Sequence, residues 1–120
     1  MFEDDEKFKS LIHNAKILDL NVNEIKVLYC IQKSGRISQR DIERQADLRQ
    51  PEVSLAIKQL ALTGMLHNES MPNPGKGRPF NCYTLKKPIT EYFSAIKKAK
   101  EAEWSTARHA LESLIKQFSD

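Results

Sequence analysis

The sequence has little cysteine, little glycine and no long apolar run. Two cysteines, Cys30 and Cys82, stand among 120 residues. That excludes a disulfide framework and a zinc site of four thiolates, and points to a reducing compartment, the cytoplasm. Four glycines are too few and too scattered for a phosphate-cradling loop of the Walker or dinucleotide type. No apolar stretch approaches the ~20 residues that cross a bilayer, so no membrane partner is expected. The acidic opening Met1-Phe2-Glu3-Asp4-Asp5-Glu6 predicts no secretory signal, which starts basic and continues apolar. His13, His67 and His109 lie far apart and lack ligand spacing, so no metal or other cofactor is expected. The carboxylates are scattered along the chain with no pattern suited to acid–base catalysis, and no enzyme is expected.

What is present is an uneven charge. The chain carries a formal net charge of +3. Residues 1–24 hold three Lys against six Asp/Glu, a net −3; residues 101–120 hold two Lys/Arg against four Asp/Glu, a net −2. Residues 25–100 hold fourteen Lys/Arg against six Asp/Glu, a net +8. A basic middle between acidic ends suits a domain that neutralises a polyanion, because each phosphate covered releases condensed counterions.

Apolar periodicity predicts a first helix over 3–18, with Phe2, Phe8, Leu11, Ile12, Ala15 and Leu18 (or Ile17) recurring at helical spacing. Asn21 or Asn23 caps a second helix that runs to about Lys33 and stops at Ser34-Gly35. Ile37 is a single extended residue. Ser38 caps a short helix to Ala46, with Asp41 placed as the partner of a capping box. After the turn 47–50, Pro51 opens another helix, favoured at a first position where its missing N–H costs nothing; Gly64 ends it. Residues 65–69 and 80–85 read as strands flanking the segment 71–79, which has three prolines and two glycines and can be neither helix nor ladder. Pro88 precedes a long helix over 89–118. The expected fold is mainly α with a small β-hairpin. It divides into an N-terminal helix (1–19), a winged helix-turn-helix (20–87) and a C-terminal dimerisation helix (88–120).

Two helices separated by a tight turn and followed by a hairpin form a helix-turn-helix with a wing. Residues 20–86 resemble the winged-helix domain of MarR, ArsR and TrmB-like transcriptional regulators of archaea and bacteria. The stretches that carry the resemblance are Leu20 through Leu28, Ser38-Gln39-Arg40-Asp41-Ile42, Leu48 through Ser54, Leu60 through Leu66, and Lys76-Gly77-Arg78-Pro79. The last is similar to the wing of archaeal members. The resemblance implies a homodimeric regulator that binds double-stranded DNA.

On the predicted reading helix, Val53, Ala56 (or Ile57) and Leu60 fall on one stripe and face a core. Gln50, Ser54, Leu55 and Lys58 fall on the other side. Gln pairs with adenine, Ser adapts, Leu touches a thymine methyl, and Lys reaches guanine or phosphate. Glu52 either caps the helix or reads a cytosine amine. Arg36, Arg40, Arg44 and Arg49 are candidate phosphate contacts. Lys76 and Arg78 flank a glycine, as in the similar Arg-Gly-Arg-Pro core of AT-hooks, and suit a narrow A·T minor groove.

The last helix carries Trp104, Ala107, Leu111, Leu114, Ile115 and Phe118 beyond the reach of a domain ending near Leu85. This stripe is expected to meet the same stripe of a second chain. The rival reading is a winged-helix protein-interaction module of a larger assembly, since the fold alone does not fix the function.

Overall fold

The computed structural model describes residues 5–75 and 77–119. The chain forms two compact units, Met1–Pro88 and Ile89–Asp120. The first holds helices α1 (Glu6–Ile17), α2 (Val22–Ser34), α3 (Gln39–Ala46) and α4 (Gln50–Leu62), and strands β1 (Ile37–Ser38), β2 (Leu66–Met71) and β3 (Phe80–Leu85). The second is a single helix, α5 (Ile89–Phe118).

Each helix of the first unit begins where a side chain accepts an otherwise orphaned backbone N–H. Asp5 Oδ1 accepts from the Lys7 and Phe8 amides at 3.0 and 3.2 Å. Of the two asparagines offered by the sequence, Asn21 is the cap of α2, its Oδ1 accepting from the Glu24 amide at 3.1 Å. Ser38 Oγ accepts from the Asp41 amide at 3.1 Å. The Asp41 carboxylate turns to Arg44, three residues on, instead of closing the box. Helix α4 starts one residue before the expected position, so Pro51 stands second in it.

The hairpin is part of a three-stranded antiparallel sheet in the order β1-β3-β2. Ile37, expected as a lone extended residue, pairs with Tyr83, and Ser38 pairs with Cys82. The wing register runs from Leu66 opposite Leu85 to Met71 opposite Phe80, so β2 extends two residues beyond the predicted end. Pairing with β3 carries β2 past the residues that alternation alone marks as strand.

The most deeply buried large side chains include Val27, Leu28 and Ile31 from α2, Ile42 from α3, Val53 and Leu60 from α4, and Met65 before β2. These contributions hold the helix-turn-helix and the wing to one frame. The stripe expected on α4 is the buried one: Val53, Ala56, Ile57 and Leu60 all face inward. Both cysteines are free and buried. Burial pushes the Cys30 thiol up to about 11, which leaves almost no thiolate at neutral pH and makes this cysteine a small core hydrophobe rather than a reactive group.

Helix α1 is tied down by its own cap. The second oxygen of Asp5 accepts the Tyr29 hydroxyl at 2.5 Å, and Lys33 Nζ lies 3.9 Å from the same oxygen and 5.6 Å from the Tyr29 ring centre. Phe8 rests on the same ring, with centroids 5.5 Å apart. The Tyr29 hydroxyl, the two cap amides and Lys33 hold the Asp5 carboxyl below its ordinary value. The hydrogen bond to Asp5, together with burial, pushes the Tyr29 phenol up to about 12.

Linkage gives the sign at each edge of the pH range. A lowered carboxyl contributes stability above its unfolded value near ~3.9, and that contribution is lost as pH falls through the folded value. A raised phenol contributes below its unfolded value near ~10, and that contribution is lost as pH rises toward the folded one. Asp5→Asn is therefore expected to lower the thermal midpoint most at neutral pH, with the gap to the parent narrowing as pH falls through and below the ordinary carboxylate range. A gap that stays constant on acidification would remove Asp5 as the anchor of α1.

Candidate nucleic-acid interface

Helices α3 and α4 are joined by a turn in which Asp47 takes the left-handed conformation, at φ 53°. Aspartate tolerates this region better than most residues, and here it ends α3. The turn is closed by the Leu48 amide bonding to the Glu43 carbonyl at 3.0 Å. Glu52 Oε1 accepts the Arg49 amide at 2.8 Å. Of the two roles open to it in the sequence, Glu52 takes the cap, where a carboxylate also complements the positive end of the helix dipole.

The outward face of α4 presents Gln50, Leu55 and Lys58, all exposed. Leu55 keeps 56% of its surface in water, although nothing in a solitary fold requires an apolar side chain there. Ser54 is half-buried. Its hydroxyl accepts Gln50 Nε2 at 3.1 Å and Gln39 Nε2, from the first turn of α3, at 2.8 Å. Gln39 was missed from sequence because it lies on a different helix. The only available signal was a long polar side chain directly after the cap of α3.

The candidate arginines divide into two groups. Arg36 pairs with Glu69 and its Nη2 lies 3.0 Å from Met71 Sδ, which ties the approach to β1 onto β2 of the wing. Arg44 pairs with Asp41 within α3. Neither is a free cation in this structure. Arg40, Arg49, Lys58 and Arg78 are exposed, and among the described residues none of them pairs with a carboxylate. Among the described candidate residues, these four are the cations left available to a polyanion.

The wing loop leaves β2 at Met71 and returns at Phe80. The Asn73 side chain accepts the Gly75 amide at 3.1 Å, which forms an Asx turn. Gly77 sits at φ 126°, a conformation that a side chain would strain, and a Cβ there would otherwise find room. Glycine thus sets the direction of the chain just before Arg78. Lys76 lies outside the described residues. Between the wing and the start of α3 is a groove of about 520 Å³, with Gln39 and Arg40 on one wall and Asn73, Phe80 and Asn81 on the other.

Residues Trp104, Ala107, Leu111, Leu114, Ile115 and Phe118 all lie on α5, and no residue of that helix is buried. Among the described residues, no group of His, Cys, Asp or Glu is arranged to hold a metal ion, and no helix is long and apolar enough to cross a membrane.

Residues 20–75, a little under half of the chain, match the model of the MarR family. No protein of curated function matches the sequence. Among solved structures, a possible transcriptional regulator from Methanosarcina mazei Go1 superposes with a TM-score of 0.57 at 16% identity, over 88% of this chain and 85% of that one. A protein from the thermoacidophilic archaeon Sulfolobus tokodaii gives 0.56 at 16% identity, over 79% of this chain and 97% of its own. A MarR family transcriptional regulator from Silicibacter pomeroyi gives 0.54 at 13% identity, over 94% and 82%. At these identities the superpositions establish the shared fold. Together with the family match across the helix-turn-helix and the first wing strand, they show that this chain has a winged-helix fold similar to that of MarR family regulators.

Proposed function

We propose that the protein is a cytoplasmic homodimer that binds double-stranded DNA in a sequence-specific way. Helix α4 enters the major groove with Gln50, Ser54, Leu55 and Lys58 toward the base edges, and the wing follows the adjacent minor groove with Lys76 and Arg78. Arg40, in the first turn of α3, and Arg49, in the turn before α4, meet phosphates. Arg36 joins them only if it exchanges Glu69 for a phosphate. Helix α5 supplies the dimer contact through Trp104, Ala107, Leu111, Leu114, Ile115 and Phe118. The observation that carries this reading is the outward face of α4: an exposed leucine, an exposed glutamine and an unpaired lysine, on a helix whose opposite stripe is fully committed to the core.

A regulator of this kind gains its affinity from phosphates and its selectivity from base edges. Selection of bound sequences from random duplex DNA should return an inverted repeat with half-sites about one helical turn apart. Affinity should fall steeply between low and physiological salt, with a log–log slope of about −0.9 for each phosphate neutralised. A slope near zero, or equal affinity for every duplex, would sink this reading in favour of a protein-interaction module.

A further inference from the structure

We infer that Gln39 and Ser54 are positioning residues that fix the carboxamide of Gln50, so that α4 reads an adenine at one position of each half-site. This inference rests on the reading of α4 as the base-reading helix.

The Ser54 hydroxyl has two lone pairs and one proton. Both lone pairs are engaged, one by Gln39 Nε2 at 2.8 Å and one by Gln50 Nε2 at 3.1 Å. Ser54 is therefore a fixed acceptor whose own proton is left to point elsewhere. One of the two amide hydrogens of Gln50 is spent on it. The other N–H stands beside Oε1 and forms a donor–acceptor edge. That edge matches the N7 acceptor and the N6 amine of adenine, and not the two acceptors that guanine presents in the major groove.

A free glutamine at a groove surface can flip its amide and show guanine or adenine equally. Held at Nε2, Gln50 has one orientation, and less side-chain entropy remains to be lost on binding. Gln39 acts one step further back. It sits at the start of α3, is half-buried and bonds across the turn to α4. By donating to Ser54 Oγ it holds that side chain in the rotamer that meets Gln50 Nε2. Three polar side chains, with Gln50 making the bidentate contact, thus select one base.

The test is selection from random duplex DNA with the intact protein and with Gln50→Ala, Ser54→Ala and Gln39→Met. Methionine keeps the length of Gln39 and removes its donor. The parent should show adenine at one position per half-site. All three variants should flatten that position by about tenfold while leaving preferences elsewhere intact, the loss expected when a bidentate contact is no longer oriented. Ser54→Thr, which keeps the hydroxyl, should restore the preference, and thermal midpoints near the parental value would show that each variant is folded. If Gln39→Met and Ser54→Ala retain the adenine preference while Gln50→Ala loses it, the positioning role is overturned and α4 still reads DNA. If the parent itself shows no base preference at any position, the reading of α4 falls and this inference falls with it.

Discussion

Replacing Leu111 and Ile115 with glutamate in the intact chain is expected to turn a dimer into a monomer at micromolar concentration. At about 1.5 Å per residue, α5 is roughly 45 Å long, and none of its residues is buried within a single chain. Trp104 is 52% exposed, Leu111 61%, Leu114 50%, Ile115 66% and Phe118 87%. Each such side chain left in water forgoes about 1.5–3 kcal/mol of burial. Several on one helical stripe make a contiguous patch of the kind that marks an association surface. A two-fold partner offers the same stripe in return, so one surface solves the problem twice. Before Trp104 the same helix carries charge pairs, Lys97 with Glu101 at 3.9 Å and Lys100 with Glu103 at 3.6 Å. Leu111 and Ile115 stand four residues apart on the stripe, and two carboxylates there bring four like charges to a two-fold seam. Sedimentation of the parent, of this variant and of a chain ending after Lys87 measures the effect. A double variant that sediments like a dimeric parent would move the interface off α5. A parent that is monomeric at micromolar concentration would remove the dimer altogether.

Lys58→Ala and Arg78→Ala should weaken DNA binding in different ways. Lys58 lies on the exposed face of α4, where it is placed for a base edge or the phosphate beside it. A lost base contact costs about 1–3 kcal/mol and relaxes one position of the operator. In a dimer the loss counts twice. Arg78 follows Gly77 in the wing and has no carboxylate partner among the described residues. Its removal should weaken binding to most duplexes alike and make the salt slope shallower by about 0.9 per protomer. The loss should be greater where A·T-rich flanks narrow the minor groove and deepen its negative potential. Titration of each variant against one operator, at two salt concentrations and with two flanking sequences, separates the effects. Unchanged affinity of Arg78→Ala at moderate salt would end the assignment of the wing to DNA.

The four helices, the hairpin and the long last helix were legible in the sequence because each rests on a local signal. Asn21 and Ser38 are caps, Gly35 and Gly64 follow helix ends, and the prolines between 72 and 79 can belong to no ladder. The buried stripe of α4 was legible from spacing alone, since Val53, Ile57 and Leu60 recur with the period of a helix. The third strand was not. Ile37 and Ser38 are too few to alternate, and they become a strand only because β3 passes beside them.

Composition, periodicity and capping determined the element order, the inward faces and the basic middle segment, because those properties depend on neighbours within a few residues. Which charges remain available was decided by the tertiary structure. Arg36 and Arg40 look alike in sequence, but the wing brings Glu69 to Arg36 and leaves Arg40 unpaired. Glu52 could have faced a base, yet it accepts the amide that begins its own helix. Gln39 and Ser54 are fifteen residues apart and carry no shared motif. They meet because Ile42 on one helix and Val53 on the other are buried in one core, and that packing brings the first turns of α3 and α4 within hydrogen-bond reach. A side chain's partners are set by such long-range contacts, which no window of sequence contains.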